Sequence, residues 1–140
     1  MVSLPEEDVE FLAEKNVAYK LVSEQVNGGT GECHGIIIAG VPVPPTLREV
    51  TPNGLVERID CEVMILVPGG YASTKLDSFY TKPHLKRTDG NEPGATSFPQ
   101  HLFGEDWQSW SRHLDEKDWR PGVDGIATYL AYIKNELRGA

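Results

Sequence analysis

Over residues 57–67 an apolar side chain falls at every second position: Ile59, Cys61, Val63, Ile65 and Val67. A period of two is the signature of a strand with one buried face, and no other stretch constrains the fold as much. Such a strand needs neighbours beside it, and the flanking sequence offers them. Residues 17–22 read as a first strand, followed by the Gly-rich connection Asn27-Gly28-Gly29-Thr30-Gly31. Residues 35–43 read as a second, whose Pro42, Pro44 and Pro45 keep it from being a long central strand. Thr51-Pro52-Asn53-Gly54 is a turn between strands. The alternation also assigns Cys61 to the core.

Helices close the two ends. Ser3-Leu4-Pro5-Glu6 matches a capping box, with Pro5 tolerated in the first turn, and the spacing predicts a helix over residues 5–15. Its acidic residues sit at the positive end of the helix dipole, and Val9, Leu12 and Ala13 form its apolar stripe. A second helix is expected over residues 123–137, from the helical spacing of Val123, Ile126, Ala127, Leu130, Ile133 and Leu137. Residues 82–104 are dominated by Pro, Gly, Thr, Asn and Ser and are expected to be irregular. The order is helix, antiparallel meander, long irregular crossing, helix. That is an α+β arrangement in which helices pack on an antiparallel sheet. A chain of 140 residues is long enough for one core and not two, so residues 1–140 form a single domain.

Charge and cysteine usage exclude several functions. A formal net charge of −8, with 13 basic residues spread without a block, argues against nucleic acid, which needs clustered Lys and Arg. The longest nearly apolar runs, residues 36–45 and 63–70, are too short to span a bilayer. The first residues lack the features of a signal peptide. Cys33 and Cys61 have no close spacing, hence no disulfide framework and no zinc signature. A reduced, cytoplasmic location is expected. No Walker loop or dinucleotide fingerprint is present, so no cofactor is expected.

The chemistry concentrates in Trp107-Gln108-Ser109-Trp110-Ser111-Arg112-His113 and, after a short connection, Asp118-Trp119-Arg120-Pro121. A serine hydroxyl is not ionised near neutrality and needs a base in reach to act as a nucleophile. In an extended segment Ser111 and His113 face the same side, and His113 is the base. In a helical turn they diverge, and His101 is the better candidate. Arg112 can hold a carboxylate by a bidentate contact, and Gln108 or backbone amides can support an oxyanion. The plainer reading is that Ser111 and His113 hydrogen-bond a loop in place. Trp107, Trp110 and Trp119 are more often core or loop anchors than a ligand cage. Cys33, beside His34, reads as a small residue of a polar turn, and His84 as a loop residue. A metal site from His101, His113, Glu105, Asp106 or Asp115 has no recognised spacing behind it, and none is expected.

These motifs resemble the ubiquitin-conjugating enzyme superfamily. Val67-Pro68-Gly69-Gly70-Tyr71 resembles its Pro-rich turn, and Trp119-Arg120-Pro121 its Trp-Ser-Pro motif. Eight positions before Trp119, where that family keeps its reactive cysteine, stands Ser111; ten further back, at the His of the His-Pro-Asn motif, stands His101. Leu102-Phe103 replaces Pro-Asn. More narrowly, Phe79-Tyr80-Thr81-Lys82-Pro83 and the heptapeptide with two Trp resemble the bacterial group called prokaryotic family E, which lacks the usual cysteine. The resemblance implies the conjugating-enzyme fold: an N-terminal helix, a four-stranded antiparallel meander and a crossover helix, without the family's two C-terminal helices. It implies a ubiquitin-like protein, a ThiF-like activating enzyme docking on the N-terminal helix, and a deconjugating peptidase as pathway partners. The carrier's C-terminal acyl group would reach Ser111 as an oxyester, with His113 or His101 as base. Arg112, Gln108, Tyr71, Trp110 and Trp119 would bind it. The alternative is a catalytically inactive scaffold joining the same two partners. A third option, a hydrolase using Ser111 and His113, would turn over simple esters unaided.

Overall fold

The computed structural model describes residues 4–26, 31–69, 71, 74–112, 114, 116–121 and 123–140. Helix α1 spans Glu6–Glu14, with Glu6, Glu7 and Asp8 in its first turn, where carboxylates meet the positive end of the dipole. Pro5 occupies the cap position without a side-chain cap bond; Ser3, expected to cap, lies outside the described residues. The helix stops at Asn16, whose φ of 54° is a left-handed conformation that Asn tolerates. Val17 N–H then returns to Leu12 O at 2.9 Å.

Strands follow: β1 (Tyr19–Val26), β2 (Gly31–Pro42), β3 (Leu47–Thr51), β4 (Gly54–Val56) and β5 (Asp60–Leu66). Beyond them lie β6 (Phe79–Lys82), β7 (Leu85–Arg87), β8 (Thr96–Leu102) and β9 (Glu105–Trp110). A 3-10 turn at Glu116–Asp118 precedes α2, Ile126–Arg138. Among the described residues one sheet has six strands in the order β1-β2-β5-β6-β9-β8, and a second has three in the order β4-β3-β7. Every pairing is antiparallel.

The α+β reading holds, with differences that have physical causes. Instead of four strands the main sheet has six among the described residues; residues 82–104, expected to be irregular, give β8 to it and β7 to the small sheet. β1 and β2 reach further into the Gly-rich connection, so Cys33 is a strand residue. Ile59 precedes β5 and is 88% exposed, whereas Cys61, Val63, Ile65 and Val67 are buried as the alternation requires. Val123 lies before α2 and Ala127 faces solvent; Tyr129 takes a core position with Ile126, Leu130, Ile133 and Leu137. In α1 only Leu12 of the expected stripe is buried, and the other buried residue is Asp8.

Both faces of the main sheet are covered. One core joins Leu12, Ile36, Ile38, Val63, Ile65, Phe79 and Trp110 to the inner face of α2. The other face carries Ile37, Met64 and Trp107, roofed by Leu102 and Phe103 from the β8–β9 turn. This explains why β5 buries Met64 between Val63 and Ile65: a strand covered on both sides loses the strict apolar-polar alternation. No helix among the described residues is long and apolar enough to cross a membrane.

Candidate functional site

Most of the heptapeptide is β9, and its interior half is fully buried. Trp107 and Trp110, three residues apart on a strand, point to opposite faces and enter the two different cores. Trp110 stands opposite Phe79 and stacks on it at 5.6 Å, while its indole N–H donates to Thr81 Oγ1 at 2.9 Å. Gln108 is completely buried. Its Oε1 accepts from Leu85 N–H at 2.9 Å and from Thr81 Oγ1 at 3.2 Å, and its Nε2 donates to Leu85 O at 2.9 Å. The Gln108 amide thus imitates a strand neighbour for β7 and stitches the small sheet to the large one. Every buried polar group in this knot has a partner, as burial demands. The Gln108 amide is consequently engaged within the chain, a placement its sequence position does not disclose.

Ser111 ends the strand. Its N–H donates to Ala95 O at 2.9 Å, which holds the backbone, and its side chain is exposed. Arg112 folds back: its guanidinium lies 5.2 Å from the centroid of Trp110, and its Nε donates to Glu136 Oε1 of α2 at 3.0 Å. The carboxylate this arginine holds is therefore the chain's own. His113 lies outside the described residues. His101 does not approach Ser111. It sits at the opposite end of β9, paired in register with Asp106, and its Nδ1 is 3.0 Å from Asp106 Oδ1. Ser111 lies five positions beyond Asp106, roughly 17 Å at the usual strand rise.

A groove opens at the end of the sheet where β5 and β6 meet. β5 sets Ile65 opposite Phe79, and β6 sets Phe79 opposite Trp110. Leu66, Ser78 and Ser111 each lie one residue beyond these rungs along the chain. Val67 N–H, donating to His34 O at 2.9 Å, extends that end of the sheet to β2. The groove there has a volume of about 790 Å³ and is lined by His34, Val67, Pro68, Lys75 and Ser78 among others. Lys75 Nζ donates to Leu114 O, tying the groove wall to the segment after Ser111. His34 Nε2 is 3.2 Å from Glu32 Oε2, and its buried Nδ1 has no partner among the described residues. The sequence signals Ser78 and Lys75 in no way; only strand pairing brings them here.

Both thiols are raised above their ordinary range. Burial, then the negative Glu24, pushes the Cys33 thiol up. Burial pushes Cys61 up to about 12. Both therefore stay protonated near neutrality, where a thiol is a poor nucleophile.

Tyr71 and Trp119 form a separate node. Tyr71 donates to Asp8 Oδ2 at 2.5 Å, and Asp8 Oδ1 accepts from Ile126 N–H at 3.0 Å. A side chain of α1 thus caps the N-terminus of α2 across 118 residues of chain. A Cβ at Gly125 would lie 2.5 Å from Asp8 Oδ1, so only glycine admits this cap. Burial, reinforced by the Asp8 bond, raises the Tyr71 phenol well above its ordinary value and keeps it a donor. Trp119 is buried, with its ring 6.3 Å from that of Tyr71.

An α+β chain with a helix at each end of an antiparallel sheet is compatible with an E2-like fold. The family model described as prokaryotic E2 family E matches residues 4–140, and the chain belongs to that family. No curated protein and no solved structure matches it. Family membership ties the chain to prokaryotic ubiquitin-like conjugation in a conjugating-type role, and to a ubiquitin-like protein and an activating enzyme as partners in general.

Proposed function

We propose that the protein is an acyl carrier of this pathway, receiving the C-terminal acyl group of a ubiquitin-like protein on Ser111 as an oxyester. The observation that carries this reading is the position of Ser111: exposed, just past the end of β9, with its backbone held by Ala95. Ser111 Oγ attacks the activated carbonyl delivered by a ThiF-like activating enzyme. A carbon–oxygen bond forms, the bond to the activating enzyme's leaving group breaks, and the hydroxyl proton passes to His113. His101 takes no part, being at the other end of β9. Backbone amides rather than Gln108 stabilise the oxyanion. Trp110, Tyr71, Trp119 and Arg112 act as framework, fixing β9 and α2. The activating enzyme docks on α1, whose outward Glu6, Glu7, Glu10 and Glu14 favour a basic surface. The pathway is cytoplasmic and includes a deconjugating peptidase.

A second reading has support of its own. Gln108 and Arg112 are both occupied within the chain, which leaves Ser111 without the side-chain donors expected from the sequence. A scaffold that binds the carrier and the activating enzyme without acylation fits that arrangement. Reconstitution with the activating enzyme and the ubiquitin-like protein separates the two. A hydroxylamine-sensitive, base-labile adduct that disappears in Ser111→Ala supports the carrier. A stable complex with no adduct, or an adduct that persists in Ser111→Ala, removes Ser111 from the mechanism.

A further inference from the structure

We propose that the protein self-associates through the free edge of β1, which pairs antiparallel with β1 of a second copy about a two-fold axis at Val22. The main sheet ends in β1 and β8, and the two edges differ. β8 is interrupted: its register shifts between Ser97 and Gln100, and Pro99 within that gap has no N–H. Such interruptions blunt an edge. The edge strands of the small sheet, β4 and β7, have three residues each. β1 instead pairs with β2 without a break over eight residues, from Tyr19↔Ile38 to Val26↔Gly31. It carries no proline.

The outward row follows from the ladder. Ala39 N–H donates to Ala18 O at 2.9 Å. In an antiparallel pair hydrogen-bonded residues alternate, so Lys20, Val22 and Glu24 turn their backbone groups towards β2. Tyr19, Leu21, Ser23 and Gln25 turn theirs outward. Tyr19, Ser23 and Gln25 are exposed, and among the described residues no other strand pairs with this row.

Charge selects the occupant and its register. A symmetric antiparallel partner must set outward residues against outward residues. With Val22 opposite its own copy, Leu21 meets Ser23 and Tyr19 meets Gln25. Lys20 then stands opposite Glu24 of the second copy at both ends of the seam, on the face shared with Val22. Centring the axis on Leu21 puts Lys20 against Val22; centring it on Ser23 puts Lys20 against Val26. Either shift loses both ion pairs. The strand is thus complementary to itself in one register, as an interface with a two-fold axis requires.

Sedimentation velocity on the full chain, from micromolar to near-millimolar concentration, tests this. The wild type is expected to show a reversible monomer–dimer equilibrium. Lys20→Glu alone places like charges at both rungs and weakens the dimer by about tenfold or more, as does Glu24→Lys alone. An equimolar mixture of the two variants restores opposite charges at both rungs and dimerises at wild-type strength. Ser23→Pro removes an outward N–H and also weakens it, with circular dichroism unchanged. Glu24 additionally accepts from Phe103 N–H at 3.0 Å, so Lys20→Glu and Ser23→Pro, both at exposed positions, decide the matter if Glu24→Lys folds poorly. A wild type that stays monomeric throughout, or a dimer untouched by Lys20→Glu and Ser23→Pro, overturns the proposal.

Discussion

The interior of β9 and its open end belong to one short stretch of chain yet serve opposite purposes. Trp107, Gln108 and Trp110 are sealed, with Gln108 and Trp110 hydrogen-bonded to Thr81 and Leu85. Ser111, one residue beyond Trp110, has an exposed side chain and a backbone held by Ala95. The contrast teaches that residues recognised as chemical by type are sorted by depth. Those that bury become the framework, and the hydroxyl of Ser111 stays open to solvent. A rigid strand behind an exposed group is what precise positioning requires.

The contrast breaks most severely at Trp110. Trp110→Ala empties a site shared by Phe79, Thr81 and Arg112, and is expected to cost about 3–5 kcal/mol in urea unfolding. A loss under about 1 kcal/mol would show that β9 is not anchored there. Gln108→Leu keeps the volume but leaves Leu85 N–H and C=O buried without partners, an expected loss of about 2–4 kcal/mol. Unchanged stability would mean that the two sheets are not joined through this amide.

Cys61 sharpens the buried side by titration. Its folded thiol is raised to about 12, whereas the unfolded thiol ionises near about 8.5. The unfolded state therefore loses its proton first. The contribution is fully present below the unfolded value and declines as pH rises between the two, with a slope approaching about 1.4 kcal/mol per pH unit. Cys61→Ala should flatten that part of the stability curve, and equal slopes in both proteins would contradict the burial of the thiol. The smallest effect belongs to the open end. Ser111→Ala should change stability by no more than about 0.5 kcal/mol, so that loss of the adduct in this variant reads on chemistry alone. A larger destabilisation would return Ser111 to the framework.

Much of the frame was legible from local pattern. Period-two alternation located β5, helical spacing located α2, and Thr51-Pro52-Asn53-Gly54 turned β3 into β4 with Gly54 at a φ of 116°. The β8–β9 hairpin was not legible. Its turn places Phe103 and Gly104 at φ of 54° and 78°, as a tight hairpin turn needs, but phenylalanine is a poor resident of that region. Distant contacts offset the strain: Glu24 accepts the Phe103 N–H at 3.0 Å, and Gly35 leaves room for the ring. With that turn hidden, residues 82–104 read as a crossing rather than as strands.

The candidate site divides along the same line. Ser111 was reached from the spacing of motifs. The commitments of Gln108 to Leu85 and of Arg112 to Glu136, and the distance of His101, were not. Sequence by itself determined which segments are periodic and which residue types carry chemistry, because both follow from the order of side chains along the chain. Only the tertiary structure decided which polar groups are consumed and which stay free. Partners such as Gln108 and Leu85, or Asp8 and Ile126, are far apart in the chain and meet only when sheets and helices pack.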